Sequence, residues 1–244
     1  MKRNHQFKLS IFLCVLCVPL WFNSLRAQDS VAALGEMEAK LTADPDNLRL
    51  GSDYRQMVIR LAEHDRAIAF YETLAAANPS NAYAQLNFGF TYVDKVPTAG
   101  SITQVLLANN ALKAFSKSIE AKPSWIAHYT RGNSYLFWPK IFGRASEAVA
   151  DLEAAMKMQA GKTQPFYART WIALGDGFWK MDELEKAKKT WADGFKLFPD
   201  NAALKARLAK DGDELKAVID DTYDITRRVD TSLKELFASE GAAK

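Results

Sequence analysis

Five prolines divide the chain at near-regular intervals. They lie in DPDN (Asp44–Asn47), NPSN (Asn78–Asn81), KPSW (Lys122–Trp125), QPFY (Gln164–Tyr167) and FPDN (Phe198–Asn201), and the successive steps from Pro45 are 34, 44, 42 and 34 residues. Proline ends a helix because it has no N–H to donate and its ring collides with the preceding turn. Breaks at a period of 34, two of them enlarged, are the mark of a repeat array, in which each unit buries its apolar face on the next.

The segment between Pro165 and Pro199 shows what one unit contains. Trp171, Leu174 and Phe178 recur at helical spacing, with Gly175 beside Leu174. Ala187, Trp191 and Gly194 form the stripe of a second helix, and Pro199 stops it. Gly175 admits close approach of the facing helix. The order W-x-x-L-G-x-x-F, A-x-x-x-W-x-x-G, P resembles the tetratricopeptide repeat (TPR) family. Looser copies hold Gly51, Tyr54, Ala67, Tyr71 and Pro79; Phe88, Gly89, Tyr92, Ala111, Phe115 and Pro123; and Gly132, Tyr135, Ala148, Leu152 and Ala155. The resemblance implies an all-α, right-handed superhelical solenoid of antiparallel helix pairs. About four repeats are expected over 48–199, preceded by a half-repeat helix at 28–47. Capping helices follow over 200–237, with a disordered tail at 238–244. From Leu215 to Phe237, apolar residues at three- and four-residue steps predict one long amphipathic helix with Asp213 as its N-cap. Its stripe has two outlets: it folds back into the groove of the solenoid, or it pairs with a second copy to make a homo-oligomer.

Residues 1–27 differ from the rest. A basic start (MKRNHQFK), an apolar run from Leu9 to Phe22 and the small Ala27 describe a cleaved signal peptide, which directs the chain to the periplasm or outside the cell. Fourteen apolar residues containing a proline are too few to span a bilayer, so no integral span is expected after cleavage. Four of the 32 bases and none of the 29 acids fall in this leader, which leaves 28 bases against 29 acids. Such a balance offers no attraction for nucleic acid. Cys14 and Cys17 are the two cysteines and both lie in the leader, so the exported part has neither a disulfide nor a thiolate metal site.

Beyond the leader no catalytic or metal constellation is legible. His64 and His128 have no companion at ligand spacing. Gly161-Lys162-Thr163 lacks the upstream glycine of a phosphate loop. No enzyme, cofactor or metal is expected, and binding is the default use of a solenoid. Alignment on Gly89, Gly132 and Gly175 turns Tyr83, Phe90, Tyr129, Asn133, Arg169, Asp176 and Trp179 towards the concave groove, together with Leu86, Val93, Leu136 and Ile172. An exported protein or peptide is the expected occupant. Some members of the family hold a peptide carboxylate with paired Lys and Asn; Asn133 takes one such place and the lysines are missing. Other members serve solute uptake as small-ligand binders. That alternative needs an enclosed pocket, whereas a scaffold needs an open groove.

Two turns inside the repeats are enlarged. Tyr92 to Ala111 is 19 residues and Tyr135 to Ala148 is 13, against 9 from Phe178 to Ala187. These turns, near 94–110 and 137–147, emerge on one edge of the solenoid. The second reads FWPKIFG, and its Phe137, Trp138, Ile141 and Phe142 are expected to pack on Val96, Ile102, Val105 and Leu106 of the first. The functional reading is a docking edge of Phe137, Trp138, Lys140 and Phe142.

Overall fold

The computed structural model describes residues 18–241, with side chains described for 31–238. Among the described residues twelve α-helices follow one another: α1 (Val18–Ala43), α2 (Leu48–Leu61), α3 (His64–Ala77), α4 (Ala82–Lys95), α5 (Ser101–Ala121), α6 (Trp125–Tyr135), α7 (Ala145–Met158), α8 (Ala168–Lys180), α9 (Leu184–Leu197), α10 (Ala202–Leu208), α11 (Gly212–Thr222) and α12 (Lys234–Gly241). Short 3-10 turns sit at Val96–Thr98, Lys140–Phe142 and Pro165–Tyr167, and no strand occurs among the described residues. The pairs α2/α3, α4/α5, α6/α7 and α8/α9 are the four repeats. Helix α1 packs on α2 ahead of them, and α10 packs on α9 behind.

The proline motifs work through the residue that follows them. Asn47, Asn81 and Asn201 each stand two places after a proline, and their side chains accept from the backbone N–H groups of Leu50 (3.0 Å), Ala84 (2.8 Å) and Leu204 (3.0 Å). Ser124, directly after Pro123, accepts from Ala127 at 3.3 Å. At four of the five breaks, then, the motif ends one helix and satisfies a free N–H of the next, whereas the break at Pro165 opens through a 3-10 turn with no side-chain cap.

Within a pair, glycine on the first helix meets a large side chain on the second. A Cβ added to Gly175 would lie 2.1 Å from the Trp191 indole nitrogen, and one on Gly89 would lie 2.3 Å from the Phe115 ring. Both rings are fully buried, and these contacts belong to a core that runs from Leu48 to Phe237. A smaller cluster of Leu34, Leu41, Tyr54, Val58, Tyr71 and Leu74 joins α1 to the first repeat. Glu38 of α1 accepts from the Tyr54 hydroxyl (2.7 Å) and from Arg66 (2.8 Å to each oxygen). Burial alone would raise its carboxyl; the hydrogen bonds from Arg66 and Tyr54, with the Arg66 charge, bring it below the ordinary carboxylate range.

The enlarged first turn is a 3-10 turn followed by an α5 of 21 residues, against 14 for α3, α7 and α9, so the insertion extends the second helix. Residues 1–17 of the predicted leader lie outside the described residues. The expected cleavage point after Ala27 falls within α1. No helix among the described residues is long and apolar enough to cross a membrane.

The C-terminal expectation needs correction. One long helix to Phe237 does not form, and Asp213 is not its N-cap. Asp211 stands at that position, α11 ends at Thr222, and residues 223–233 run as an irregular segment before α12. The break is chemical. Asp224 accepts from the N–H (2.8 Å) and hydroxyl (2.7 Å) of Thr226, and Asp230 accepts from the N–H of Ser232 (2.9 Å). These Asx turns compete with the helical hydrogen bonds they replace. Helix α12 runs to Gly241, and residues 242–244 of the expected tail lie outside the described residues. Leu215 and Ile219 of α11 are buried in the chain's own core.

Candidate functional site

The irregular segment 223–233 is a strap across the concave face, and a buried polar cluster holds each end. At the far end, Arg55 of α2 donates to Asn87 Oδ1 (3.2 Å), Asp94 Oδ2 (3.0 Å) and the Thr231 carbonyl (2.9 Å), while its guanidinium lies 4.5 Å over the Phe90 ring. The Thr231 hydroxyl donates to the other oxygen of Asp94, and Ser52 donates to the Ser232 carbonyl at 2.6 Å. Arg49 donates to the Phe237 carbonyl (3.1 Å) and lies over its ring. At the near end, Asp176 accepts two bonds from Arg207 (2.6 and 2.7 Å) and one from the Tyr223 hydroxyl (2.9 Å). Burial, reinforced by Asp176, holds the Tyr223 phenol well above its ordinary range, so it is a neutral donor. Charges removed from water to this degree require such saturation.

Beneath the strap is a cavity of about 350 Å³. Its floor is α4 and α6, through Phe90, Val93, Tyr129 and Asn133; its roof is the strap and α12, through Ile225, Val229, Leu233 and Leu236. Trp125 closes one end. Its indole N–H donates to Gln159 (2.8 Å) and Thr170 (3.0 Å), and its ring stacks on Tyr129 at 5.2 Å. Arg169 stands at that end, paired with Glu235 at 3.0 Å. The other end opens between the two enlarged turns, where Val96, Pro97, Gln104 and Val105 face Trp138, Pro139 and Phe142.

The two turns are neighbours but do not bury each other, contrary to the packing expected of them. Ile141 (89%), Ile102 (82%), Phe142 (60%), Leu106 (60%) and Val105 (48%) remain exposed. The aromatic turn is anchored from another side. Phe137 packs edge-on against Tyr223 at 5.2 Å, and Lys180 donates to the carbonyls of Leu136 and Trp138. Burial depresses the Lys180 ammonium below the ordinary lysine range. Trp138 is half-buried against Phe142 at 5.6 Å, and Lys140 pairs with Asp182.

Of the residues expected in the groove, Phe90, Tyr129, Asn133 and Arg169 line the cavity, as does Val93. Asp176 does not. It is fully buried because it points between α8 and α10, where Arg207 claims both of its oxygens. Leu86 and Leu136 are likewise buried in the core, and Tyr83 and Trp179 are half-buried against the core without lining the cavity. Of the expected docking edge, Phe137, Trp138 and Phe142 line the cavity and Lys140 stands outside it. Sequence reasoning missed Arg55, Asp94 and Thr231. A charged residue at a core register of α2 and another on α4 were the available signal, but nothing local says that a residue 176 positions away completes the set. Among the described residues no group of three or more His, Cys, Asp or Glu is gathered as a metal would need.

No protein-family model matches the sequence, and no curated protein is similar enough to count as a relative. Solved structures do match in shape. TTC0263, a thermophilic TPR protein of Thermus thermophilus, superposes with a TM-score of 0.53 at 20% identity, covering 78% of this chain and 94% of that one. MamA superposes with a TM-score of 0.52 at 19% identity, covering 78% of this chain and 97% of the other.

Proposed function

Starting from a chain with the tetratricopeptide-repeat fold, we propose that it is a non-catalytic, exported adaptor that holds a partner protein on the apolar edge made by its two enlarged turns. The observation that carries this reading is the exposure of Ile102, Leu106, Ile141 and Phe142 on adjacent turns. Exposed apolar side chains that a chain of this size has the means to cover, yet leaves together at one edge, mark an interaction surface. The open concave groove is a poorer site for a peptide, because the strap already crosses it and is fastened at both ends. The non-catalytic part is supported by the saturation of the two polar clusters, Arg55–Asp94–Thr231 and Asp176–Arg207–Tyr223, whose charges face one another. Export is supported by the basic and then apolar composition of residues 1–27.

The test is site-specific photocrosslinking in the native cell. A crosslinker at Ile141 is expected to capture a defined protein that the same group at Lys189, exposed on α9, does not capture. Equal capture at the two positions overturns the edge. Fractionation of the same cells checks export, and full-length protein confined to the cytoplasm overturns it.

A further inference from the structure

We infer that the cavity under the strap is a binding site for the aliphatic tail of a single-chain amphiphile, of the fatty-acid class. The inference does not depend on the docking edge. Its first support is shape. The lining follows α6 from Trp125 to Ser134, nine residues apart or about 14 Å at the α-helical rise, and continues to Trp138 in the turn beyond it. Its volume of about 350 Å³ lies in the range of small-molecule sites. Lining that extends along both α5, from Ser101 to Leu112, and α6 suits a chain better than a compact polar metabolite.

The second support is the chemistry of the walls. Phe90, Val93, Tyr129 and Phe137 on one side face Val229 and Leu233 on the other. Of the charged groups in the lining, Arg169 pairs with Glu235 (3.0 Å) and Arg227 with Asp221 (2.5 Å), while Asp230 accepts from the Ser232 N–H and its charge is offset by Lys234, so that the lining carries little net charge. A site that balances its own charges recognises by apolar contact, and each methylene buried there contributes about 0.8 kcal/mol. The third support is the entrance. Val105 and Phe142 line the cavity and are 48% and 60% exposed, so the apolar path is continuous from solvent to Trp125. A tail enters there and leaves its polar head in water. A peptide does not fit the same space, because the strap backbone holds the place an extended peptide would take and is fastened by Arg55 and Ser52.

The experiment titrates the full chain with dibromostearic acid below its micellar concentration and follows tryptophan fluorescence, since bromine quenches on contact and both Trp125 and Trp138 line the cavity. Saturable quenching at one ligand per chain is expected. Ala108→Phe, which fills the cavity from α5, is expected to weaken it about tenfold or more. The pair Ile102→Glu, Leu106→Glu lies outside the cavity lining and is expected to leave it unchanged. Should Ala108→Phe fail to fold, Val105→Trp blocks the mouth from a half-exposed position and replaces it. Absence of saturable quenching overturns the inference. So does quenching that survives the filled cavity and disappears with the edge pair, which is adsorption to the outer patch; that result leaves the protein-docking edge standing.

Discussion

Arg55 and Thr231 are 176 residues apart in sequence and are joined by a 2.9 Å hydrogen bond from the guanidinium to the backbone carbonyl, inside a site from which water is excluded. The same guanidinium is paired with Asp94, so the strap is fastened to the first two repeats through one buried ion pair. Its removal has a definite cost. Arg55→Met leaves Asp94 buried without a counter-charge and is expected to destabilise the chain by about 3–5 kcal/mol in urea unfolding. The double variant Arg55→Met, Asp94→Leu removes both charges and is expected to cost less than Arg55→Met alone. Equal or larger loss in the double variant contradicts this account.

The near end of the strap separates two roles that position alone confuses. Asp176→Asn deprives Arg207 of its partner and is expected to cost about 3–5 kcal/mol. Tyr223→Phe removes one hydrogen bond to that carboxylate and is expected to cost about 1.5–3 kcal/mol. Because Asp176 is buried, partner capture by the folded fraction is expected to be unchanged; capture lost without loss of stability would return Asp176 to the binding surface.

Gly175 and Trp191 make a packing prediction. Gly175→Ala places a methyl group against the indole and is expected to cost about 1–3 kcal/mol, read as a fall in melting temperature. Combining it with Trp191→Leu, which makes room, is expected to cost less than the sum of the two single changes.

The aromatic turn divides into a structural part and a free part. Phe137→Ala loses the ring that packs on Tyr223 and is expected to cost about 2 kcal/mol, below the usual value for a fully buried ring. Ile141→Glu with Phe142→Glu is expected to stay within about 0.5 kcal/mol of the parent, since both side chains already face solvent. A large fall in melting temperature for the second variant would place those residues in the core.

His64 gives a pH dependence. Burial lowers its pKa from the ordinary 6.5, a trend that nearby Asp94 opposes only in part. A folded-state value below the unfolded one means that the unfolded chain takes up the proton first. The contribution to stability is therefore complete above pH 6.5 and is lost as pH falls from there through the folded value. Urea unfolding at stepped pH is expected to show this loss, and His64→Asn to reduce it; a midpoint that rises on acidification over that window would reverse the sign.

Much of the fold was legible before any coordinate. The positions of Pro45, Pro79, Pro123, Pro165 and Pro199 located the unit boundaries, and Gly89, Gly132 and Gly175 carried the register that put Phe90, Tyr129, Asn133 and Arg169 on one face. The failures share a cause. Asp176 was placed by register alone, and register does not say that Arg207 reaches the same face from the next pair. The long C-terminal helix was placed by apolar spacing, which Asp224 and Asp230 override through their own backbone contacts. The mutual burial of Phe142 and Val105 was argued from adjacency, but Lys180 and Tyr223 hold the aromatic turn from another side.

The sequence by itself determined the helices of the repeats between Pro45 and Pro199 and their stacking order, because those depend on breakers, caps and apolar spacing within a few residues of one another. Only the tertiary structure decided that the C-terminal segment returns across the concave face, that a cavity remains beneath it and that the two enlarged turns stay open at its mouth. Those outcomes rest on contacts between residues such as Ser52 and Ser232, 180 apart, or Arg49 and Phe237, 188 apart. Their partners are fixed by where the whole superhelix carries each side chain, a sum over every repeat between them that no local pattern records.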